Sequence, residues 1–229
     1  DSSELYPSDG KYFYRGGRPN WGIIKEQFDI SRDIKIQKAD KHEEFSTTDS
    51  LFMLIQELLQ KNKLQKIKLE GAAVSGKTTA LYRCAFDLIT NGTLSLVYKQ
   101  QSTYKKGLLY AIYEKVQEPF VIIMDDVFID ITELIKMLNE AESDHLPILF
   151  IISSRNSDWA NTLSNYNKNV IQPFDCSISM MDSFSSDEAQ KFVDKLICTN
   201  AISASTKYEK NGYIRNFQEN NNIIQILIE

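Results

Sequence analysis

Gly71-Ala72-Ala73-Val74-Ser75-Gly76-Lys77-Thr78 places a glycine, four residues and then Gly-Lys-Thr, the spacing of a loop that wraps phosphate. The segment Ile67-Lys68-Leu69 reads as a short strand ending just before Gly71, and a helix is predicted from Gly76. Successive backbone N–H groups and a helix N-terminus would then converge on an anion. Gly71 and Gly76 permit backbone conformations that a Cβ would oppose. In this chemistry Lys77 reaches the β and γ phosphates as a point charge and the Thr78 hydroxyl ligates Mg²⁺. Ala72, Ala73, Val74 and Ser75 complete the cradle, and Thr79 follows it on the helix. The bland alternative is a strand-to-helix turn with an accidental lysine; the flanking strand and helix argue against it.

A metal beside phosphate needs an acid, expected at the tip of a buried strand lying beside the first. Phe120-Val121-Ile122-Ile123-Met124-Asp125-Asp126 fits, because the carboxyl edge of a parallel sheet is where such folds bind ligands. Asp125 is the candidate to hold Mg²⁺, through a metal-bound water. Asp126 would orient or deprotonate an attacking water, or else cap the helix that begins near Ile131. A third strand, Ile148 to Ile152, ends in Ser153-Ser154-Arg155-Asn156. Arg155 would fork onto the γ phosphate, or else pair with a surface carboxylate.

The elements that must position these residues follow from periodicity. Strands at Ile67–Glu70, Leu94–Tyr98, Phe120–Met124 and Ile148–Ser153 alternate with helices at Gly76–Thr90, Thr103–Val116 and Ile131–Ala141. This predicts an α/β fold with a mainly parallel sheet covered on both faces. Ser46 to Asp49 offer caps for a helix carrying Leu51, Phe52, Ile55, Leu58 and Leu59. The basic stretch Lys61 to Lys68 reads as a solvated face. Residues 1–47 read as an irregular leader, 48–175 as the sheet domain, and 176–229 as the start of a small helical domain. That last part is introduced by the capping signal Ser185-Ser186-Asp187-Glu188. Lys207 to Asn222 is expected to be a mobile loop or weak helix.

The 229 residues suffice for one large domain, or one with a small appendage. With 26 basic and 31 acidic residues, net −5, no global positive field draws the chain to nucleic acid or anionic lipid, leaving only a local basic groove as a route. Cys84, Cys176 and Cys198 are widely spaced, with only His42 and His145 beside them. Zinc-ribbon spacing is excluded, a disulfide framework is disfavoured, and a reducing, cytoplasmic setting fits. Apolar runs such as Ile148–Ile152 fall far short of the roughly 20 residues that span a bilayer. The chain starts at Asp1 and stops within the apolar Ile223–Ile228 stretch, as a piece cut from something longer would.

Taken together, the loop Gly71 to Thr78, the strand Ile122-Ile123-Met124-Asp125-Asp126-Val127, the strand end Ser153-Ser154-Arg155 and the lead-in Phe184-Ser185-Ser186-Asp187-Glu188-Ala189 resemble the STAND class of P-loop ATPases. These are signalling relatives of the AAA+ group. The resemblance covers roughly residues 46–196. It implies an AAA+-like P-loop NTPase sheet followed by a helical lid, ATP or ADP with Mg²⁺ as ligands, and self-association through the NTPase domain. Effector and sensor parts would lie outside this chain. The leader Phe13-Tyr14-Arg15-Gly16-Gly17-Arg18-Pro19-Asn20-Trp21 is similar to a segment of bacterial antiviral-type STAND proteins. By that analogy it lies near adenine, with Pro19, Trp21 and Ile23 as an apolar platform and Arg15 or Arg18 reaching phosphate. Alternatively Tyr14, Trp21 and Phe28 form a hydrophobic strap. The chain departs from the motors of the AAA+ group in placing Asp126 where they have glutamate, which is consistent with slow hydrolysis, and no second arginine sensor is apparent in the helical part. The expected function is a slowly hydrolysing ATP switch. A nucleic-acid-dependent AAA+ ATPase and a nucleotide-binding scaffold without turnover are the alternatives, the first disfavoured by the acidic balance.

Overall fold

Strands that are apolar at every position need cover on both faces, and the chain supplies it in alternating helices. The computed structural model describes residues 9–39, 42–162 and 171–219. Its strands are β1 (Asp33–Lys38), β2 (Glu44–Thr47), β3 (Gln65–Gly71), β4 (Ser95–Val97), β5 (Phe120–Met124), β6 (Ile148–Arg155) and β7 (Cys176–Met180). The helices are α1 (Gly10–Tyr14), α2 (Trp21–Lys25), α3 (Leu51–Leu59), α4 (Lys77–Thr90), α5 (Leu108–Val116), α6 (Ile131–Ser143), α7 (Asn156–Thr162), α8 (Ser186–Cys198) and α9 (Lys207–Glu219). All seven strands form one sheet in the order β2-β1-β7-β3-β6-β5-β4. Pairing is parallel from β7 to β4 and antiparallel where β1 joins β7 and β2.

Side chains of β5 and β6 divide by parity, as the pleat requires. Val121, Ile123, Leu149 and Ile151 meet α3 and α4 through Leu54, Leu58, Leu81 and Leu88. Phe120, Ile122, Met124, Phe150 and Ile152 meet the α5 and α6 layer through Leu109, Leu134 and Leu138. A third, smaller core of Tyr14, Phe184, Phe192, Val193, Leu196 and Phe217 joins α1 to α8 and α9.

The structure corrects the predicted boundaries. The leader is not irregular: it holds α1 and α2 and contributes β1 and β2 to the sheet. The alternation in Ile34 and Ile36, both buried, is too short to stand out in sequence, and it is pairing with β7 that defines the strand. At the other end, Cys176–Met180 is a sheet strand between β1 and β3, so the helical part begins at Ser186 rather than at 176. Ser46 to Asp49 makes no side-chain cap for α3; a 3-10 turn at Thr48–Ser50 leads into it. Lys66 and Lys68, expected on a solvated face, are half-buried, and Lys68 pairs with Glu70 at 2.7 Å. The weak helix expected after Lys207 is α9 as far as Glu219; Asn220 to Asn222 and the Ile223–Ile228 run lie outside the described residues.

The predicted helix from Thr103 begins only at Leu108, for a visible reason. Amides that would have entered a helix are taken by carboxylates of α6 and its lead-in. Gln101 N donates to Asp130 at 2.9 Å and Tyr104 N to Glu133 at 2.7 Å. Glu140, 5% exposed, accepts from Gly107 N at 2.6 Å, Leu109 N at 3.1 Å and Tyr110 N at 3.3 Å, capping α5 from a neighbouring helix. Burial alone would raise the Glu140 pKa, but these amides and the Tyr104 hydroxyl outweigh it and hold the carboxyl below its ordinary value. A depressed pKa contributes stability above the unfolded value of about 4.3, lost as pH falls through the folded one. Glu140→Gln should therefore lower unfolding free energy at neutral pH by about 1.5–3 kcal/mol. Its deficit in urea melts should shrink as the pH drops below roughly 4.3.

Candidate functional site

The site starts at the turn between β3 and α4. Gly71 is buried at the strand end, where a Cβ would come within 2.7 Å of Ser75 Oγ and 2.9 Å of Met180 Cβ. Gly76 has φ +95°, the left-handed region, and Val74 is held at φ +63°, uncommon for a β-branched residue. This contorted turn is followed directly by α4, whose first amides have no partner within the helix and carry the positive end of its dipole. The Lys77 ammonium lies over the loop, donating to Ala72 O at 2.6 Å, Gly71 O at 3.0 Å and Ser75 Oγ at 3.4 Å. Burial pulls its pKa below the ordinary lysine value; Asp125 opposes this, Arg155 adds to it, and Asp126 and Asp158 oppose it.

Asp125 does not come from the strand beside β3, as expected, because β6 lies between β3 and β5. Both pairings are parallel, so all three strands end on one edge: Gly71 is in register with Arg155, and Met124 with Ile152. Thr78 Oγ1 donates to Asp125 Oδ2 at 2.7 Å, and Ser153 Oγ on the intervening strand donates to Asp125 Oδ1. Ser153 Oγ also accepts from Asp126 N at 3.2 Å. Asp126 is in the left-handed region at φ +49°, and its side chain makes no capping bond, so the helix-cap alternative is not realised. Gln100, which sequence reasoning missed, donates to Asp125 O at 3.2 Å from the loop after β4. Arg155 is exposed at the strand end, without an ion pair among the described residues, and its charge is felt at Lys77.

A cleft of about 380 Å³ opens between the loop with the start of α4, the leader and the α8 region. Val74 to Ala80 form one wall, and Ala72 and Ala73 stand exposed outside it. Gly16, Gly17, Pro19, Phe13, Tyr14 and Phe28 line the leader side, and Phe184 and Phe192 the α8 side. Pro19, offered by the adenine analogy, lines this cleft. Trp21 and Ile23 do not: Trp21 packs on Tyr82 of α4 at 4.8 Å and Ile23 is fully buried. Arg15 and Arg18 are exposed and outside the lining. Trp21 thus straps the leader onto α4, while Tyr14, Phe28, Pro19 and the two glycines face the cleft. Arg32 is a further residue the sequence did not disclose. At 5% exposure it donates to Ser75 O at 2.8 Å, to Met181 O at 3.0 Å and to Glu188 at 2.8 Å, with Phe184 4.1 Å below its guanidinium.

These residues fit a nucleotide and a hard cation. The volume lies in the ligand-pocket range of roughly 300–1,000 Å³. The turn is one that a Cβ at Gly71 would fill. Among the described residues no cluster of three or more His, Cys, Asp or Glu could hold a metal by itself. The hydroxyl–carboxylate pair at Thr78 and Asp125 instead offers a partial, all-oxygen set, which suits Mg²⁺ sharing its shell with phosphate and water.

No curated protein sequence matches the chain. Among solved structures, a variant of Thermotoga maritima RuvB superposes with TM-score 0.52 at 14% identity, covering 79% of this chain and 59% of that one. Drosophila ORC bound to DNA superposes with TM-score 0.50 at 8% identity, covering 79% and 52%. The chain thus spans little more than half the length of either, and at such identities the likeness is one of fold, the AAA+-like P-loop NTPase sheet. No helix among the described residues is long and apolar enough to cross a membrane. The profile of the family described as novel STAND NTPase 5 matches residues 11–166, from the first helix of the leader through the phosphate loop to beyond the paired aspartates. That match takes in both the loop and the leader that closes the cleft over it, and the chain belongs to this family of nucleotide-binding P-loop NTPases.

Proposed function

We propose that the domain binds ATP with Mg²⁺, hydrolyses it slowly, and uses the nucleotide state to set the position of the helical part formed by α8 and α9. The observation that carries this reading is the meeting of Thr78 and Asp125 at 2.7 Å at the foot of the phosphate loop, with Ser153 on the other carboxylate oxygen. A hydroxyl and a carboxylate brought to one sheet edge from elements far apart in sequence, beside a turn that wraps an anion, are the groups a shared metal–phosphate ligand would use.

Bound Mg²⁺ and triphosphate would supply an electrophilic terminal phosphorus and a metal that neutralises developing charge. The residues do the rest by positioning. The amides at the start of α4 receive phosphate oxygens, and Lys77 exchanges the Gly71 and Ala72 carbonyls for them. Thr78 Oγ1 and the Asp125 carboxylate hold the metal or its waters, and Ser153 keeps that carboxylate from turning. Asp126, fixed through its N–H to Ser153, orients an attacking water and accepts its proton at the side-chain carboxylate. It is one methylene shorter than glutamate, which supports slow turnover. Arg155, in register with Gly71, would fork onto a terminal phosphate.

A γ phosphate and its metal make contacts that ADP cannot, so the two nucleotides weigh the same pair of conformations differently. Self-association through this domain, effector and sensor parts elsewhere in a longer protein, and a role in signalling or antiviral defence belong to the same proposal. They rest on the STAND family and on the leader resemblance.

Lys77→Ala should weaken ATP binding measured by calorimetry by about 2–3 kcal/mol, roughly 30- to 150-fold. Equal affinity in the variant would remove Lys77 from the cradle. Asp126→Asn should leave ATP affinity within about twofold while steady-state phosphate release falls about 100-fold or more. Unchanged release would strike Asp126 from the mechanism, and release that climbs severalfold on adding DNA would favour a nucleic-acid-dependent ATPase over a switch.

A further inference from the structure

Arg32 stands at the point where the phosphate loop, the end of β7 and the first turn of α8 meet. Each of its three nitrogens is engaged with a different one: Nη1 with Ser75 O, Nη2 with Met181 O and Nε with Glu188 Oε1. Ser75 O and the Gly76 N–H belong to one planar trans peptide, so they point in opposite directions. Holding the carbonyl at 2.8 Å therefore turns the Gly76 amide away from the guanidinium, and a charged donor on the oxygen polarises that amide as a donor. Gly76 immediately precedes α4, in the run of amides open to an anion.

The other end of the contact is equally specific. Glu188 is the third residue of α8, and its second oxygen accepts from Ser185 N at 2.7 Å in a capping box. Oε1 takes both Arg32 Nε and Asp33 N, at 2.8 and 2.5 Å. Arg32 and Glu188 are 5% and 3% exposed, so moving α8 away would leave a buried guanidinium without its carboxylate, a heavily penalised state. The loop's shape and the seating of α8 are thus tied to one side chain.

We infer that Arg32 is a positioning residue that couples the helical lid to the phosphate loop. With Glu188 in place it fixes the Ser75–Gly76 peptide in its anion-binding orientation, so that a seated lid and an occupied loop favour each other. This deepens the ATP-switch reading and rests on it. By linkage the coupling is reciprocal: nucleotide protects α8 by the same factor by which a seated α8 tightens nucleotide, of order 5- to 150-fold. The role needs the planar fork and not merely a positive charge, because an ammonium cannot hold three divergent acceptors in fixed directions.

The test uses the whole 229-residue chain. Mg-ATP affinity is measured by calorimetry, and amide hydrogen exchange across residues 186–198 is followed with and without nucleotide. Wild type should show nucleotide-dependent protection of α8. Arg32→Lys and Glu188→Gln should each weaken ATP binding about tenfold, within the coupling range above, and largely abolish that protection. Arg32→Met combined with Glu188→Gln leaves no unpaired charge. It should melt close to wild type without nucleotide, yet show the same loss of protection, which a merely structural role would not produce. The inference falls if Arg32→Lys or the double variant keeps wild-type affinity and protection while Lys77→Ala loses binding. Failure of the wild-type chain to bind Mg-ATP would instead overturn the switch reading, and this inference with it.

Discussion

Asp125 accepts a hydroxyl hydrogen bond on each oxygen, one from α4 and one from β6, and the geometry of the site depends on those two bonds arriving together. They do so because three parallel strands run to one edge, with β5 ending at Met124 opposite Ile152 and so delivering Asp125 beside Ser153. Side-chain direction alternates along a strand, so a slip of one residue between β5 and β6 would offer Ser154 in place of Ser153 and turn it to the opposite face. The contrast is visible within the pair: Ser153 bonds Asp125, whereas the Ser154 hydroxyl is buried without a hydrogen-bond partner among the described residues. The register is in turn set by packing. Phe120, Ile122, Phe150 and Ile152 fill one layer and Val121, Ile123, Leu149 and Ile151 the other, so a one-residue slip of β6 against β5 would place Leu149, Phe150, Ile151 and Ile152 in the wrong layers. Full burial of one such side chain is worth about 1.5–3 kcal/mol, so the eight together outweigh the polar contacts at the sheet edge. The apolar layers thus dictate where the carboxylate stands.

The leader extends this constraint to the other side of the loop. β7, which carries Met180 close against Gly71, would be an open edge without β1 beside it. Between α2 and β1 the chain is fastened by ionic and backbone contacts: Arg83 of α4 pairs with Asp29 and donates to Ile24 O at 2.6 Å, and Lys195 of α8 donates to the Asp29 carbonyl at 2.8 Å. Tyr14 OH bonds Phe28 O, and burial, with Asp29 and Cys198 nearby, pushes its pKa up, so it stays a neutral donor. The same segment therefore grips the helix that starts at the phosphate loop and the helix that faces it across the cleft.

What could be read from the sequence followed locality. The phosphate loop, α4 and the strand bearing Asp125 are each encoded within a few residues, by glycine spacing or by an apolar run, and all appear where predicted. Thr78 and Asp125 prove to be partners because both come from such local signals. Arg32 could not be found this way: an arginine between Asp29 and Asp33 looks like any surface residue, and its burial is created by Ser75, Met181 and Glu188, up to 156 positions distant. β1 and β7 were missed for a related reason. Each is only five or six residues long, and what makes them strands is their pairing with each other, across some 140 residues of chain. The late start of α5 was hidden because the competitor for its amides, Glu140, belongs to a different helix.

The contrast between apolar and ionic contacts at α8 explains where control can reside. Its aromatic contacts, Phe192 with Phe184, Phe217 and Tyr14 at centroid separations of 5.0 to 5.5 Å, lie in a small core shared with α1 and α9 and separate from the sheet's own layers. Burial of this kind is non-directional and changes little when one ring shifts over another. Hydrogen bonds to a fixed fork do not tolerate such a shift. In the proposed switch, a helical part seated mainly on aromatic faces would have its arrangement selected by its few directional contacts. Glu188 and Lys195 provide those contacts on α8, and both end on residues 27–33 of the leader, the stretch that also touches the phosphate loop. In the proposed switch these leader contacts would link an anion in the loop to α8, beside the direct facing of Phe184 and Phe192 across the cleft.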